Sequence, residues 1–205
     1  YKRPDGYIPL PLAIPQQIKG MMSTKDFNNK AIFELYQFAN IELAKFISAV
    51  KESAFAENTI IAVTGDHNLR ELSNYTTEDM FVRYAVPLYL YIPPKLKNKQ
   101  INTSINGSHM DIMPTLYGLS LSNADYTSVG SDLLNVADNV SLNIDGLAVK
   151  DNIAVKYNFT DNSFKSFNFD RETKKISPAE TTEEHKKLAD YYKALMTASD
   201  ILIKK

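Results

Sequence analysis

The segment NTIIAVTGDHN at residues 58–68 constrains this chain more than any other. Its apolar, β-branched run at 59–64 predicts a buried strand, which Gly65 ends directly before Asp66 and His67. Open α/β sheets hold their reactive groups at the carboxyl ends of buried strands. Because glycine tolerates a sharp turn, we expect Gly65 to let the two side chains converge on one point.

A carboxylate beside an imidazole is a ligand pair that suits a divalent ion. Zn²⁺ or Mn²⁺ fits Asp66 and His67 best, with Ca²⁺ or Mg²⁺ as further candidates. An Asx-type turn with a solvated histidine is an equally good interpretation of these two residues. Catalytic metals usually have at least three protein ligands, and no second Asp/His cluster in this chain supplies the rest.

Composition excludes several classes of function. The 205 residues are 44% apolar, which is enough for one domain with a core, and the formal net charge is −1. The scattered Lys and Arg residues argue against a nucleic-acid partner or a membrane-surface patch. The chain has no cysteine, so thiol catalysis, disulfides and Cys-based zinc sites are excluded. Because the sequence opens at Tyr1 without Met or a signal peptide, we expect a piece of a longer polypeptide.

Periodicity predicts a layered α/β chain in three parts: an extended, proline-rich lead-in at 1–27, an α/β core at 28–147, and a β-hairpin with a terminal helix at 148–205. The predicted elements of the core are a long amphipathic helix at 28–56, a strand at 59–64, a loop at 68–84, a strand at 85–92, a helix at 111–121 and a polar connection at 122–150. The predicted elements that follow are strands at 148–157 and 164–170 around a turn at 160–163, and a helix that begins at Thr181 or Thr182.

Three further residues are candidates for binding an anionic substrate. His109 precedes a predicted helix, whose N-terminus favours anions and could be capped by Ser108 or Asp111. Arg70 and Arg83 flank the loop after the Asp-His pair and could bind a phosphate or sulfate in bidentate fashion. The alternatives are a loop histidine that fixes the helix entry and two solvated surface arginines. His185 is predicted on an exposed helix face and is given no role.

Several motifs occur in an order that resembles a known family. ENTIIAVTGDHN is followed by VRYAVPLYLYIP, SHMDIMPTLYGL and SVGSDLL. This order is similar to the C-terminal half of the sulfatase-like branch of the alkaline phosphatase superfamily. That branch includes bacterial sulfatases and the lipoteichoic-acid-synthase-like phosphoglycerol transferases. The resemblance covers about residues 28–134.

The resemblance implies an alkaline phosphatase-like three-layer sandwich, of which this chain would hold a fragment with helices on a mostly parallel or mixed sheet. It implies metal-assisted transfer or hydrolysis of a phosphate or sulfate ester, with Asp66 and His67 as ligands of one divalent ion. Asp111, Pro114 and Thr115 would mostly shape the fold beside the site.

The resemblance places the nucleophile and the first acidic ligands in an N-terminal half that these 205 residues lack. We therefore expect no catalytic nucleophile here, an inactive chain when alone, and the N-terminal half of the same polypeptide as its partner. The expected substrate is a phospholipid or glycan, and the expected reaction is phosphoglycerol or phosphoethanolamine transfer. It would occur at the periplasmic or extracellular face of a bacterial inner membrane, with transmembrane anchors outside this sequence. A sulfatase and a non-catalytic binding or structural domain are the alternatives.

Overall fold

Two structural units are built from interleaved stretches of the chain. A computed structural model describes residues 4–11, 16–22, 29–68, 73–97, 101–121 and 124–203. The first unit comprises Tyr1–Thr76 with Val86–Lys97, and the second comprises Thr77–Ala85 with Asn98–Lys205. Among the described residues, no helix combines the length and the apolar character needed to cross a bilayer.

The described residues of the first unit form two α-helices and a two-stranded sheet, with short 3₁₀ turns. Its elements are α1 (Gln16–Met21), α2 (Asn29–Glu52), a 3₁₀ turn at Ala56–Asn58, β1 (Ile61–Thr64) and β2 (Leu88–Tyr91). β1 and β2 pair antiparallel, with Ile61 opposite Tyr91 and Thr64 opposite Leu88. The predicted long helix and both predicted strands are confirmed. β2 begins directly after Pro87, as expected of a residue that lacks the N–H a ladder requires.

The second unit contains an antiparallel sheet of five strands in sequence order. Its elements are α3 (Met80–Tyr84), a 3₁₀ turn at His109–Asp111, α4 (Ile112–Ser120), β3 (Ser141–Leu142), β4 (Leu147–Lys150), β5 (Ile153–Asn158), β6 (Ser163–Phe169), β7 (Ile176–Pro178) and α5 (Glu183–Ile203). The predicted helices near 111–121 and after Thr182 are confirmed, as is the hairpin that joins β5 to β6.

Two expectations about this sheet are wrong. The predicted strand at 148–157 is two strands, because the chain reverses at Asp151, whose φ is 51°. The predicted connection at 122–150 contains β3 and all of β4, and β7 was not expected at all. The pairings among the described residues are antiparallel, so the parallel or mixed sheet is not formed by them.

The sheet buries both of its faces, each against a helix. On one face Ala148, Val155 and Tyr157 pack with Leu188 and Tyr192 of α5. The opposite face is covered by α3, a helix that lies within the predicted loop at 68–84. The buried residues of this face are Leu147, Val149, Ala154, Phe167, Phe169 and Ile176, and the residues of α3 that pack on them are Met80, Phe81 and Tyr84.

α3 is too short to be stable by its own hydrogen bonds, so its apolar contacts must hold it. The rings of Phe81 and Phe169 lie 4.8 Å apart between centroids. Burying one side chain of this size contributes about 1.5–3 kcal/mol. A helix formed by such tertiary contacts has no periodic signal in sequence.

Candidate metal centre

The Asp66–His67 pair follows β1 directly in the first unit, as the sequence predicts. The reason given for Gly65 is not supported, because its φ lies outside the positive range. A Cβ added there would lie at an ordinary contact distance, 3.4 Å, from Cγ1 of Val86. The local geometry is instead fixed by Asp66, whose Oδ1 accepts the backbone N–H of His67 at 2.9 Å.

The two side chains converge. Oδ2 of Asp66 lies 3.7 Å from Nε2 of His67. Two ligand atoms that each bind one ion at about 2.1 Å can be no more than about 4.2 Å apart. The separation therefore fits a shared divalent ion, and the donor set is one that zinc and manganese accept.

The other nitrogen of the His67 ring has a partner as well. Nδ1 lies 3.0 Å from the backbone carbonyl oxygen of Asn68. A carbonyl can only accept, so in the neutral ring Nδ1 carries the hydrogen and Nε2 presents its lone pair towards Asp66. Histidine ligands of metals usually donate their second N–H to a carbonyl or carboxylate in this way. The backbone carbonyl of Asn68 thus orients the ring. The amino-acid sequence could not reveal this role, because it does not depend on the type of residue.

Both side chains are open to solvent, with 89% of the Asp66 side chain and 61% of the His67 side chain exposed. Among the residues that the structure describes, no group of three or more His, Cys, Asp or Glu side chains could hold a metal. Asp66 and His67 alone are fewer than the three protein ligands that a catalytic metal usually has. The hydrogen bond from the His67 N–H to Asp66 needs no metal, so the ligand assignment stays a prediction.

Asp111 is buried in the second unit, where protein donors occupy its carboxylate. Oδ2 accepts the N–H and hydroxyl of Ser108 at 2.7 and 3.0 Å, and the amide of Asn139 at 3.0 Å. Oδ1 accepts the N–H of Ser131 at 2.7 Å. Ser108 and Asp111 form a capping box at the 3₁₀ turn that leads into α4. Asp111 therefore organises the local fold, which agrees with the role the resemblance implied.

Thr115 also serves the fold. Its hydroxyl donates to the carbonyl of Asp111 at 2.6 Å and accepts the N–H of Leu133 at 3.0 Å.

The candidates for substrate binding are placed as follows. His109 is exposed on the 3₁₀ turn of the second unit, and Arg83 is exposed on α3 of the same unit. The Cζ atom of Arg83 lies 6.0 Å from the centroid of the Tyr84 ring. Arg70 lies outside the described residues. Roles for these three residues in substrate binding remain predictions.

His185 was expected on an exposed face and is instead only 2% exposed. It lies in the first turn of α5, where Nδ1 accepts the Thr182 N–H at 3.2 Å and Nε2 donates to the Phe167 carbonyl at 3.0 Å. The expectation failed because the charged neighbours at 183, 184, 186 and 187 hid the face that packs on β6. Histidine here joins a helix to the sheet.

Comparison with known proteins gives one informative result. No family model matches the sequence, and no curated protein matches it. The structure is similar to a crystal structure of a protein in the alkaline phosphatase superfamily from Vibrio parahaemolyticus, with a TM-score of 0.63 and 16% sequence identity. This chain has an alkaline phosphatase-like fold. The match covers 91% of this chain and 46% of that protein, so the chain spans about half the length of the structure it matches.

The expected α/β class and its likeness to a fragment of the alkaline phosphatase fold are confirmed. The finer resemblance to the lipoteichoic-acid-synthase-like branch remains a prediction, because the comparison concerns the fold alone.

Proposed function

We propose that this chain contributes two metal ligands, Asp66 and His67, to a phosphoric or sulfuric ester transferase or hydrolase. The observation that carries the proposal is the 3.7 Å separation of Oδ2 and Nε2 in a pair whose imidazole is oriented by the Asn68 carbonyl. The alkaline phosphatase-like fold supports it, since that superfamily generally depends on divalent metals. A divalent ion bound there would polarise an ester oxygen and stabilise negative charge that develops on it.

The two residues would act differently towards such an ion. Asp66 supplies a negative charge that offsets part of the ion's charge, and its side chain is exposed to solvent. His67 supplies a neutral nitrogen whose direction is fixed by the Nδ1 hydrogen bond. Because its ring is already fixed, the His67 side chain loses less conformational entropy when it binds the ion.

We propose further that a complementary half of the same polypeptide supplies the nucleophile and the remaining ligands. The solved structure that this chain matches is about twice as long as the matched region. In the first unit, α2 leaves large apolar side chains in solvent: Tyr36 is 46% exposed and Phe46 is 59% exposed. A long amphipathic helix normally buries its apolar stripe, and a second half of the domain would cover it.

The order of the four sequence motifs supports phosphoglycerol or phosphoethanolamine transfer to or from cell-envelope lipids or glycans. We propose that the protein acts at the periplasmic or extracellular face of a bacterial inner membrane, anchored by segments outside this sequence. This substrate class and location rest on the motif resemblance.

The test is metal-dependent turnover by a protein that contains this chain together with its complementary half. Bis(p-nitrophenyl) phosphate and p-nitrophenyl sulfate distinguish phosphodiester from sulfate chemistry. We expect Asp66→Ala and His67→Ala each to lower kcat/KM at least about a hundredfold, since even outer-shell changes at metal sites cost 10–100-fold. Lys187→Ala, on α5, is the surface control and should leave turnover unchanged.

If the Asp66 and His67 variants turned over substrate as fast as the unsubstituted protein, the ligand assignment would be contradicted. Hydrolysis of the sulfate ester alone would identify a sulfatase. Failure to turn over either ester, with folding intact and metal present, would favour the non-catalytic alternative.

A further inference from the structure

Two lysines face each other on the α3 side of the five-stranded sheet. Lys156 of β5 and Lys165 of β6 are directly opposite in the antiparallel register. Lys156 is two residues from Ala154, so both side chains lie on the face that α3 covers. Like charges at directly opposite positions destabilise a strand pair, so this arrangement is unfavourable for folding alone.

Arg83 of α3 is a third cation, and it lies near Lys156. The Lys156 Nζ atom lies 5.8 Å from the centroid of the Tyr84 ring, and the Arg83 guanidinium lies 6.0 Å from the same centroid. The Tyr84 ring therefore lies near both cations. Together Arg83, Lys156 and Lys165 form what we term the basic cluster.

Lys156 is partly buried beside charges of both signs. Partial burial lowers the pKa of its ammonium group, the Asp145 carboxylate raises it, and the positive charge of Arg83 lowers it further. The ammonium also donates to the backbone carbonyl of Asp145. Lys156 therefore has the Asp145 carboxylate and the Arg83 guanidinium as charged neighbours, with Lys165 at the directly opposite position of β6.

Other lysines of the same unit are placed differently. Lys150 lies 3.2 Å from Asp138, Lys175 lies 3.3 Å from Glu78, and Lys186 lies 2.6 Å from Glu183. These lysines each have a carboxylate within ion-pair distance, and Lys156 differs from them in having a second lysine directly opposite it. An anion bound between Lys156 and Lys165 would relieve the repulsion of their like charges.

We propose that the basic cluster binds a dianionic oxyanion, the phosphate group of a monoester or a free phosphate or sulfate ion. Directly opposite residues of an antiparallel pair have Cβ atoms about 4.5–5.5 Å apart, so both ammonium groups can reach one tetrahedral anion. The planar guanidinium of Arg83 can add two parallel hydrogen bonds to the same anion. A dianion would offset two of the three positive charges of the basic cluster. This binding site belongs to the second unit and does not depend on the metal proposed for the first.

The test is an NMR titration of the full 205-residue chain at constant ionic strength, with sodium sulfate, inorganic phosphate and glycerol 3-phosphate as probes and sodium chloride as the reference. We expect saturable shifts at the amides of Lys156 and Lys165 with the dianions and none with chloride. Glycerol 3-phosphate binding at least as tightly as inorganic phosphate would assign the site to an ester, and tighter binding of inorganic phosphate would assign it to the free ion.

Variants separate binding from folding. Arg83→Gln and Lys165→Glu should each weaken sulfate binding at least about tenfold, since each removes charge-assisted hydrogen bonds to the anion. Lys165→Glu creates an opposite-charge pair with Lys156, so we expect the melting temperature to hold or rise while binding is lost. Lys193→Glu makes the same charge change at an exposed position of α5. It should change the affinity for sulfate by less than about twofold.

Shifts that chloride reproduces, or affinity that survives both Arg83→Gln and Lys165→Glu, would overturn the proposal. Since the titration needs neither metal nor turnover, its outcome is independent of the ester chemistry proposed above.

Discussion

Ser131 donates its backbone N–H to Oδ1 of Asp111 at 2.7 Å, a bond that joins residues twenty positions apart. The same carboxylate holds Ser108 ahead of α4 and Asn139 ahead of β3. One buried side chain therefore connects three segments of the second unit. Its acceptor atoms are occupied by protein donors, which is why we assign it to the fold.

Replacing this carboxylate should weaken the second unit strongly. Asp111→Asn keeps the shape but removes the charge and places an NH₂ group against donors. We expect the free energy of unfolding to fall by about 2–4 kcal/mol, as hydrogen bonds to a buried charge are lost and donors are left unsatisfied. Urea denaturation measures this change. Asp125→Asn, at an exposed position of the same unit, should change stability by less than about 0.5 kcal/mol.

Gly130 is needed because the backbone of Met110 lies against it. A Cβ at Gly130 would lie 2.0 Å from the Met110 carbonyl oxygen, a backbone atom that cannot move aside alone. We expect Gly130→Ala to cost at least about 3 kcal/mol in the free energy of unfolding. Gly20→Ala is the matched control, because nothing lies within 4 Å of a Cβ there. Since Gly20 is in α1, alanine should stabilise that helix by about 0.5–1 kcal/mol. Equal effects of the two substitutions on thermal unfolding would contradict the packing described.

Tyr192 makes the second unit sensitive to alkali. Burial raises the pKa of its phenol to about 12, from an ordinary 10.0, and the hydroxyl donates to the Asn143 carbonyl at 2.8 Å. The unfolded chain loses this proton near pH 10.0 while the folded chain keeps it to about pH 12. The contribution of the neutral phenol is thus complete below pH 10.0 and falls as the pH rises towards 12, by about 2–3 kcal/mol.

The measurement is the stability difference between the wild-type protein and Tyr192→Phe as a function of pH. We expect the variant to be less stable by about 1 kcal/mol at pH 7, where one hydrogen bond is lost. Its deficit should shrink and then reverse between pH 10.0 and about 12, because phenylalanine cannot ionise. Tyr191→Phe, whose ring is 44% exposed, should show no such dependence. A deficit for Tyr192→Phe that stays constant to pH 12 would refute the assignment.

Elements whose signal is local were predictable from sequence. The apolar spacing of α2 and the β-branched run of β1 identify their conformations without help from the rest of the chain. α3 was not predictable, because five residues carry too little periodicity and Phe81 is held by Phe169 from a distant strand. The reversal at Asp151 was missed because no Gly or Pro marks it between the apolar residues of β4 and β5.

The candidate site, like the fold, could be predicted from the sequence only in part. Adjacency in sequence identified Asp66 and His67 as a potential ligand pair, and their side chains do converge. The carbonyl that orients the imidazole belongs to the backbone of Asn68, and a backbone group has no residue-type signature. The basic cluster was hidden because Arg83, Lys156 and Lys165 are brought together only by strand register and by the packing of α3.

The central claim, that Asp66 and His67 share a divalent ion, is tested most directly by paramagnetic broadening with Mn²⁺ in the full chain. We predict that Mn²⁺ broadens the amide signals of residues 65–68 at concentrations that leave those around His109 sharp. Asp66→Asn and His67→Gln should each abolish this selectivity, whereas His109→Gln should preserve it. Broadening that is equal at both histidines, or that persists unchanged in the Asp66 and His67 variants, would contradict the claim.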